Sequence, residues 1–338
     1  MKIAIHNSKG SFSDRWIDYC QKNNIPFKIV NAYDSDIVEQ VKDCSAFMWH
    51  HHHANYKDTL FAKQLLYSLQ MDGKKVFPDF YTGWHFDDKV GQKYMLEAID
   101  APLVPSYVFY TKKDALDWIE QTIFPKVFKL RGGAGAANVK LIHTKQQAKK
   151  LVKTAFGKGF NQFNKWNYLK ERFNKYCKGK DTLLGICKGI GRLFINTEFA
   201  KMHSPEKGYV YFQDFIPNNK FDIRVIVIGD KAFAIKRMCR EKDFRASGSG
   251  TILYEKGIID KRCIEQSFII TKKSKAQCVA YDWVFNEQNV PMIVEISYGF
   301  STHGYDPCPG YWDEKLQYHQ EKFIPQNWMI ENLLNKNL

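Results

Sequence analysis

Phe221-Asp-Ile-Arg-Val-Ile-Val-Ile-Gly-Asp-Lys-Ala-Phe-Ala-Ile-Lys-Arg237 decides the fold. Two apolar runs, Ile223–Ile228 and Ala232–Met238, meet at Gly229-Asp230, a dipeptide that suits a two-residue hairpin turn. Arg224 and Arg237 then stand on sheet strands, and Arg245 follows in Asp243-Phe-Arg-Ala-Ser-Gly-Ser-Gly250. A lone arginine on a strand is usually half of an ion pair. Several beside a carboxylate pair suit stabilisation of phosphoryl charge.

Downstream lies that carboxylate pair. Strands Cys278–Phe285 and Met292–Tyr298 flank Asn286-Glu-Gln-Asn289, a turn-like connection. If residues 285 and 290 pair, Asp282 lies opposite Ile293, and Glu295 points to the same face two residues further on. The carboxylates become diagonal neighbours about 7–8 Å apart at the backbone. That spacing suits two oxygens clamping Mg²⁺ against a triphosphate, with Ser297 continuing the face. Two solvent-facing acids on a hairpin would leave the same sequence trace.

Upstream, Phe124–Leu130 is a strand carrying Lys129, and Val139–Ile142 is another. Arg131-Gly-Gly-Ala-Gly-Ala-Ala-Asn138 joins them. Glycines let a backbone approach a phosphate and aim N–H donors at it, and the Lys129 ammonium could reach the same oxygens. A Walker A loop is excluded, because no Gly-Lys-Ser/Thr follows and the loop leads into a strand. Protein kinase signatures are absent: there is no His-Arg-Asp loop and no Asp-Phe-Gly. A plain turn remains the simpler reading of the loop by itself.

Residues 1–80 alternate strands (Lys2–His6, Pro26–Val30, Ala46–Trp49, Val76–Phe77) with helical patterns, Ser13 being a candidate cap for the first. Short connections between them predict a small parallel α/β domain. It lacks the dinucleotide fingerprint, having one glycine in Asn7-Ser-Lys-Gly10. His50-His-His-His53 follows a strand, where loops at carboxyl ends face a cleft. Substrate contact, an incidental polar loop and a metal site all stay open.

The chain has 338 residues, 44% apolar and 25% charged, enough for several domains with real cores. No run of 18 apolar residues and no secretory segment occurs, which predicts a cytoplasmic protein. Its eight cysteines are scattered without a C-x-x-C pair, so reduced thiols are expected. The net charge of +14 is regional: Leu141–Gly208 holds 15 Lys/Arg against 4 Asp/Glu. Within it, Phe160–Tyr176 and Leu183–Phe194 are helix candidates. The basic aromatic segment Phe156–Lys180 suits a solvated helix, peripheral contact with an anionic membrane face, or an anionic acceptor. No nucleic-acid fold signature accompanies it.

Taken in order, lysine, glycine loop, Gln-Asp-Phe-Ile, Asp-x-Arg-Val, basic strand, Asp and Glu resemble the ATP-grasp enzymes, such as D-alanine–D-alanine ligase and glutathione synthetase. The resemblance runs from about Asp87 to Ser297. It implies an α/β (α+β ATP-grasp) fold: a pre-ATP-grasp domain over 1–82, a central lobe over 83–207 with a basic insertion at about 156–202, a C-terminal lobe over 208–300 and a tail over 301–338. ATP would lie between the lobes with Mg²⁺ or Mn²⁺. Residue by residue, it implies that Lys89, Lys129, Arg131, Gly132, Gly133 and Gly135 serve the phosphates. Gln213, Asp214, Phe215 and Ile216 would form the adenine hinge, by backbone and side chain, with Asp222 behind it. Arg224, Arg237 and Arg245 would be catalytic, and Asp282, Glu295 and Ser297 would be metal ligands. Ser297 stands where the family usually has asparagine, and its hydroxyl can still ligate Mg²⁺. His51, His52, Ser247 and Ser249 are the substrate candidates. Asp243–Gly250 and Cys308-Pro-Gly-Tyr-Trp312 resemble ATP-grasp proteins of bacterial surface-polysaccharide gene clusters. The implied activity is carboxylate–amine ligation through an acyl phosphate, with sugar-linked substrates. A sugar or polyol kinase and a non-catalytic anion-binding protein are the alternatives.

Overall fold

A computed structural model describes residues 1–132, 139–161, 204–239 and 251–335, with single positions 173, 176, 182 and 202. The glycines at 133 and 135, the arginine at 245, the serines at 247 and 249 and nearly all of both helix candidates of the basic insertion lie outside the described residues; of the first candidate, Phe160 is described and stands in an isolated β-bridge with Glu206.

The amino-terminal sheet is all parallel, with β1 (Ile3–His6) between β2 (Phe27–Val30) and β3 (Ala46–Met48), and β4 (Lys75–Phe77) outermost. Helices α1 (Phe12–Lys22), α2 (Ile37–Gln40) and α3 (Tyr56–Met71) make the crossovers. Ser11, two residues before the expected Ser13, caps α1 by accepting from the Ser13 N–H, and Asn55 caps α3. Each such cap is worth about 1 kcal/mol.

After α4 (Phe80–Gly83) and α5 (Lys89–Ala98), a second sheet runs β5-β8-β6-β7, all antiparallel. Its strands are Ser106–Phe109, Val210–Asp214, Lys126–Lys129 and Val139–Ile142. Helices α6 (Lys112–Gln121) and α7 (Lys145–Ala155) cover one face through Ala115, Ile119, Ala148 and Val152.

The largest sheet is antiparallel. Its order is β13 (Pro291–Ser297), β12 (Cys278–Phe285), β9 (Phe221–Ile228), β10 (Lys231–Met238), β14 (Tyr311–Asp313) and β15 (Tyr318–His319), with β11 (Ile252–Leu253) also on β10. The β9–β10 turn needs its glycine. Gly229 has φ +60°, and a Cβ there would fall 2.2 Å from Asn332 Nδ2 of α9 (Pro325–Asn335). Helix α8 (Lys261–Ser274) packs on one face of this sheet, over Val225, Val279 and Trp283.

The other face shares a core with the amino-terminal domain. Trp16 and Phe77 belong to one buried cluster with Phe233, Tyr298 and Trp328. Arg15 reaches Asp306 at 2.7 Å and Gln326 at 3.1 Å, and Tyr19 donates to Glu331 at 2.9 Å. The chain's end therefore clasps its beginning onto the large sheet. Among the described residues no helix is long and apolar enough to cross a membrane.

Candidate active site

A row of charge crosses the large sheet. Glu295 on β13 lies directly opposite Asp282 on β12, which lies opposite Arg224 on β9. Two residues along, Asp222 faces Arg237 of β10. Arg237 donates to both Asp222 oxygens at 2.7 and 2.6 Å and sits 2.9 Å from Asp282 Oδ1. Arg224 Nε is 3.1 Å from the same Asp282 oxygen. Burial works against the Asp282 charge, but the two guanidiniums outweigh it and hold its carboxyl below the usual range.

The expected register is corrected here. The connection is 286–290, one residue longer than expected, because Asn286 gathers it: its side chain accepts from the N–H groups of Gln288 and Val290. Phe285 consequently pairs with Pro291, and an undisturbed ladder would turn Glu295 to the far face. A bulge between Asp282 and Trp283 in the register, with Val294 as the unpaired extra residue, brings Glu295 back opposite Asp282. The carboxylates are direct neighbours, not diagonal ones, and Ser297 shares their face opposite Ala280.

Two buried lysines approach this row from the second sheet's side. Lys89, 5% exposed, is the first residue of α5, whose cap Asp88 accepts from the N–H groups of Val90 and Gly91. Its Nζ is 3.2 Å from Glu295 Oε1. Burial opposes the Lys89 charge, and the Glu295 carboxylate more than restores it, raising the ammonium above its ordinary range. Lys129, 4% exposed, ends β6. Its Nζ donates to Gln213 Oε1 at 2.6 Å and lies 3.4 Å from the bulge carbonyl of Val294. Among the described residues no carboxylate touches it, and burial dominates and lowers Lys129 to about 8. These groups line one cleft of about 820 Å³, walled by the two antiparallel sheets and by loops of the amino-terminal domain.

The comparisons with known proteins bear on this arrangement. A family model described as RimK-like ATP-grasp domain matches residues 195–306. The whole chain superposes on N5-carboxyaminoimidazole ribonucleotide synthetase from Thermotoga maritima, with a TM-score of 0.61, 14% identity and 76% of that chain covered. A RimK domain ATP-grasp protein from Sphaerobacter thermophilus matches over 98% of this chain and 99% of its own, with a TM-score of 0.56 and 13% identity. D-alanine–D-alanine ligase from Bacillus anthracis, solved with ATP, matches over 91% and 89%, with a TM-score of 0.54 and 13% identity. The chain has the ATP-grasp fold. A search of curated proteins by sequence returns no match.

In this fold the segment expected as the hinge, Gln213–Ile216, lines the cleft with Asp222. The Gln213 side chain is committed elsewhere: it accepts from Lys129 and donates to Ser106 Oγ at 3.0 Å and the Val294 carbonyl at 3.3 Å. It therefore ties the second sheet to the large one. Asp214 is likewise held by Lys126 at 2.5 Å. Arg131 is exposed and Gly132 buried at the base of the glycine loop.

Of the histidine run, His50, His52 and His53 line the cleft, whereas His51 does not. His51 is 3% exposed, packed against Phe86 and Tyr298, with its carbonyl accepting from Tyr298 at 2.6 Å. The structure thus places His51 outside the cleft, where the sequence reading had it as a substrate candidate. His50 stacks on Phe12 with ring centroids 3.7 Å apart, and its Nδ1 accepts from the Phe12 N–H at 3.2 Å. His52 Nδ1 accepts from the Ala54 N–H at 3.1 Å. Burial pushes His50 down to about 3 and lowers His52. Both rings are thus neutral, with the proton on Nε2. Asp58 and Tyr33, which sequence reading missed, brace this loop: Asp58 accepts from Tyr33 at 2.6 Å and from the His52 N–H at 2.7 Å. No sequence signal marks Asp58, because it falls inside an ordinary helical pattern.

Proposed function

We propose that the protein is an ATP-dependent carboxylate–amine ligase. The observation that carries this is the gathering in one cleft of Lys89 on Glu295, of Lys129 on the adjoining Val294 carbonyl, and of an Asp282 held ionised by Arg224 and Arg237. The ATP-grasp fold, and its occurrence in a ligase solved with ATP, supports the nucleotide. The backbone of 213–216 receives adenine, and the two lysines receive the phosphates.

Mg²⁺ or Mn²⁺ fits the carboxylates. Asp282 and Glu295 are directly opposed, both held below the usual carboxyl range, with the Ser297 hydroxyl on the same face. Among the described residues no three His, Cys, Asp or Glu side chains gather as a metal-holding group. Asp282 and Glu295, with the Ser297 hydroxyl, would hold the ion and leave its remaining positions to the nucleotide's phosphates and water, which suits Mg²⁺. When bound, it neutralises charge on the phosphates.

Arg224 and Arg237 stand on rigid strands where the transferred phosphoryl group gains charge, and they require no reorganisation to meet it. The substrate carboxylate attacks the γ-phosphoryl group, giving an acyl phosphate and ADP. The amine then displaces phosphate and forms the amide. The described walls of the cleft would exclude water from the acyl phosphate.

The amino-terminal wall supports a hydroxylated carboxylate, such as a sugar acid, with an amino acid as the amine. His50 and His52 can only donate at Nε2, so they select oxygen acceptors. Placement in surface-polysaccharide assembly rests on the resemblance of Asp243–Gly250 and Cys308–Trp312. The exposed lysines of 140–158, a stretch without any acid, would set the protein against an anionic membrane face from the cytoplasm.

The test is phosphorus NMR of the purified protein with Mg-ATP, pooled sugar acids and pooled amino acids. ADP and free phosphate, formed only with both pools present, supports the ligase. A new phosphoester signal replaces it with a kinase, and nucleotide binding without any turnover replaces it with a binding protein.

A further inference from the structure

A carboxylate and a phenol grip the base of the glycine loop. The Arg131 N–H donates to Tyr209 Oη at 2.6 Å and to Glu206 Oε2 at 3.2 Å, and the Gly132 N–H donates to Glu206 Oε1 at 3.3 Å. Tyr209 donates its own proton to Glu206 Oε2, which closes the network. On the other side of the same peptide, the Arg131 carbonyl accepts from the Lys89 N–H at 3.0 Å.

Glu206 is itself firmly mounted. Its N–H and carbonyl pair with Phe160 at 2.8 and 2.9 Å, as an isolated antiparallel bridge. Gly159 makes room for it: φ is +76° there, and a Cβ would come 2.8 Å from the Glu206 carbonyl oxygen. Burial, then the Glu206 charge, pushes the Tyr209 phenol far above its ordinary range, so it remains a donor at any working pH.

We infer that Glu206 is a positioning residue for the nucleotide's phosphates. One carboxylate holding two consecutive amides fixes the orientation of both peptide planes, and charge makes those bonds stronger than neutral ones. The root is thereby tied to Lys89 on one side and to the start of β8 on the other. Glu206 does not line the cleft, so it acts through the loop base and Lys89, never by touching the ligand. The inference rests on the proposed ATP site. A carboxylate that merely competed with phosphate for these amides would have the opposite effect on affinity.

The experiment is titration calorimetry of wild type, Glu206→Gln, Glu206→Ala and Tyr209→Phe with the Mg²⁺ complex of a non-hydrolysable ATP analogue, and with adenosine. Thermal melts select the variants that stay folded; Glu206→Gln keeps side-chain size and one acceptor oxygen. Positioning predicts that Glu206→Gln weakens the ATP analogue by about fivefold or more and adenosine by less than about twofold. Equal losses for both ligands mean a general structural role and overturn the inference. Unchanged or tighter binding of the ATP analogue overturns it as well. Wild type that binds neither ligand refutes the proposed ATP site itself, and the inference falls with it.

Discussion

Nucleotide affinity should depend on pH through Lys129. This ammonium is 4% exposed, and its contacts are a neutral amide and a carbonyl, so burial lowers it to about 8. Bound phosphate would supply the missing negative partner and raise it again. A ligand that needs the charged form then binds with uptake of a proton. With a free-state value of about 8, roughly nine-tenths of the molecules carry the charge at pH 7 and roughly one-tenth at pH 9. Apparent affinity for the Mg²⁺ complex of a non-hydrolysable ATP analogue should therefore fall about tenfold across that interval. Calorimetry in two buffers of different ionisation heat should show uptake of about 0.1 proton at pH 7 and about 0.9 at pH 9. Lys129→Met should bind more weakly at pH 7 and lose the slope. Folding carries the matching sign: the buried charge costs stability below about pH 8, and the cost is relieved as pH rises from about 8 toward the ordinary lysine value of 10.5. A wild-type affinity that is flat from pH 7 to 9, with no proton uptake, refutes the reasoning.

Three other outcomes follow from the geometry. Asp282→Asn leaves Arg224 and Arg237 without their shared anion and should cost about 3 kcal/mol or more in urea unfolding, whereas a change below about 0.5 kcal/mol would show that the row is not electrostatically coupled. Among the described cysteines, Cys239 lines the cleft, whereas burial raises Cys20 to about 11 and Cys308 to about 12. Maleimide labelling read by peptide mass spectrometry should therefore mark Cys239 before those two and slow when Mg-ATP is present; equal labelling with and without nucleotide contradicts the placement. Gly310→Ala should destabilise by about 2 kcal/mol, because a Cβ there would sit 2.1 Å from the His319 carbonyl oxygen, and an unchanged melting temperature would show that β14 and β15 separate freely.

What the sequence disclosed was periodic. The apolar runs gave β9, β10 and β12 nearly to the residue, since a strand buried on both faces reads as continuous Val, Ile and Phe. The short parallel strands were legible because Gly and Pro punctuate them. Helices α8 and α9 and strands β14 and β15 were not. Lys261–Ser274 is mostly polar, and the 311–319 pair depends on partners distant in sequence. Lys89, Lys129, Asp222, Asp282, Glu295, Arg224 and Arg237 were named as candidates from residue type and order, and the structure gathers them in one cleft. Their pairing was not legible, because one extra loop residue gathered by Asn286 shifts the ladder and the Val294 bulge shifts it back. Sequence periodicity carries no trace of either step. Glu206 escaped for a related reason: its partners are backbone amides 74 and 75 positions away.

The central claim is that a carboxylate is activated by phosphorylation. Once phosphorus NMR has identified a productive acid and amine, the acid is resynthesised with both carboxyl oxygens as oxygen-18 and the reaction is run again. The account predicts that the released phosphate carries one oxygen-18, seen as an upfield-shifted phosphorus signal, because the acyl–oxygen bond breaks when the amine attacks. Released phosphate without the label would contradict it.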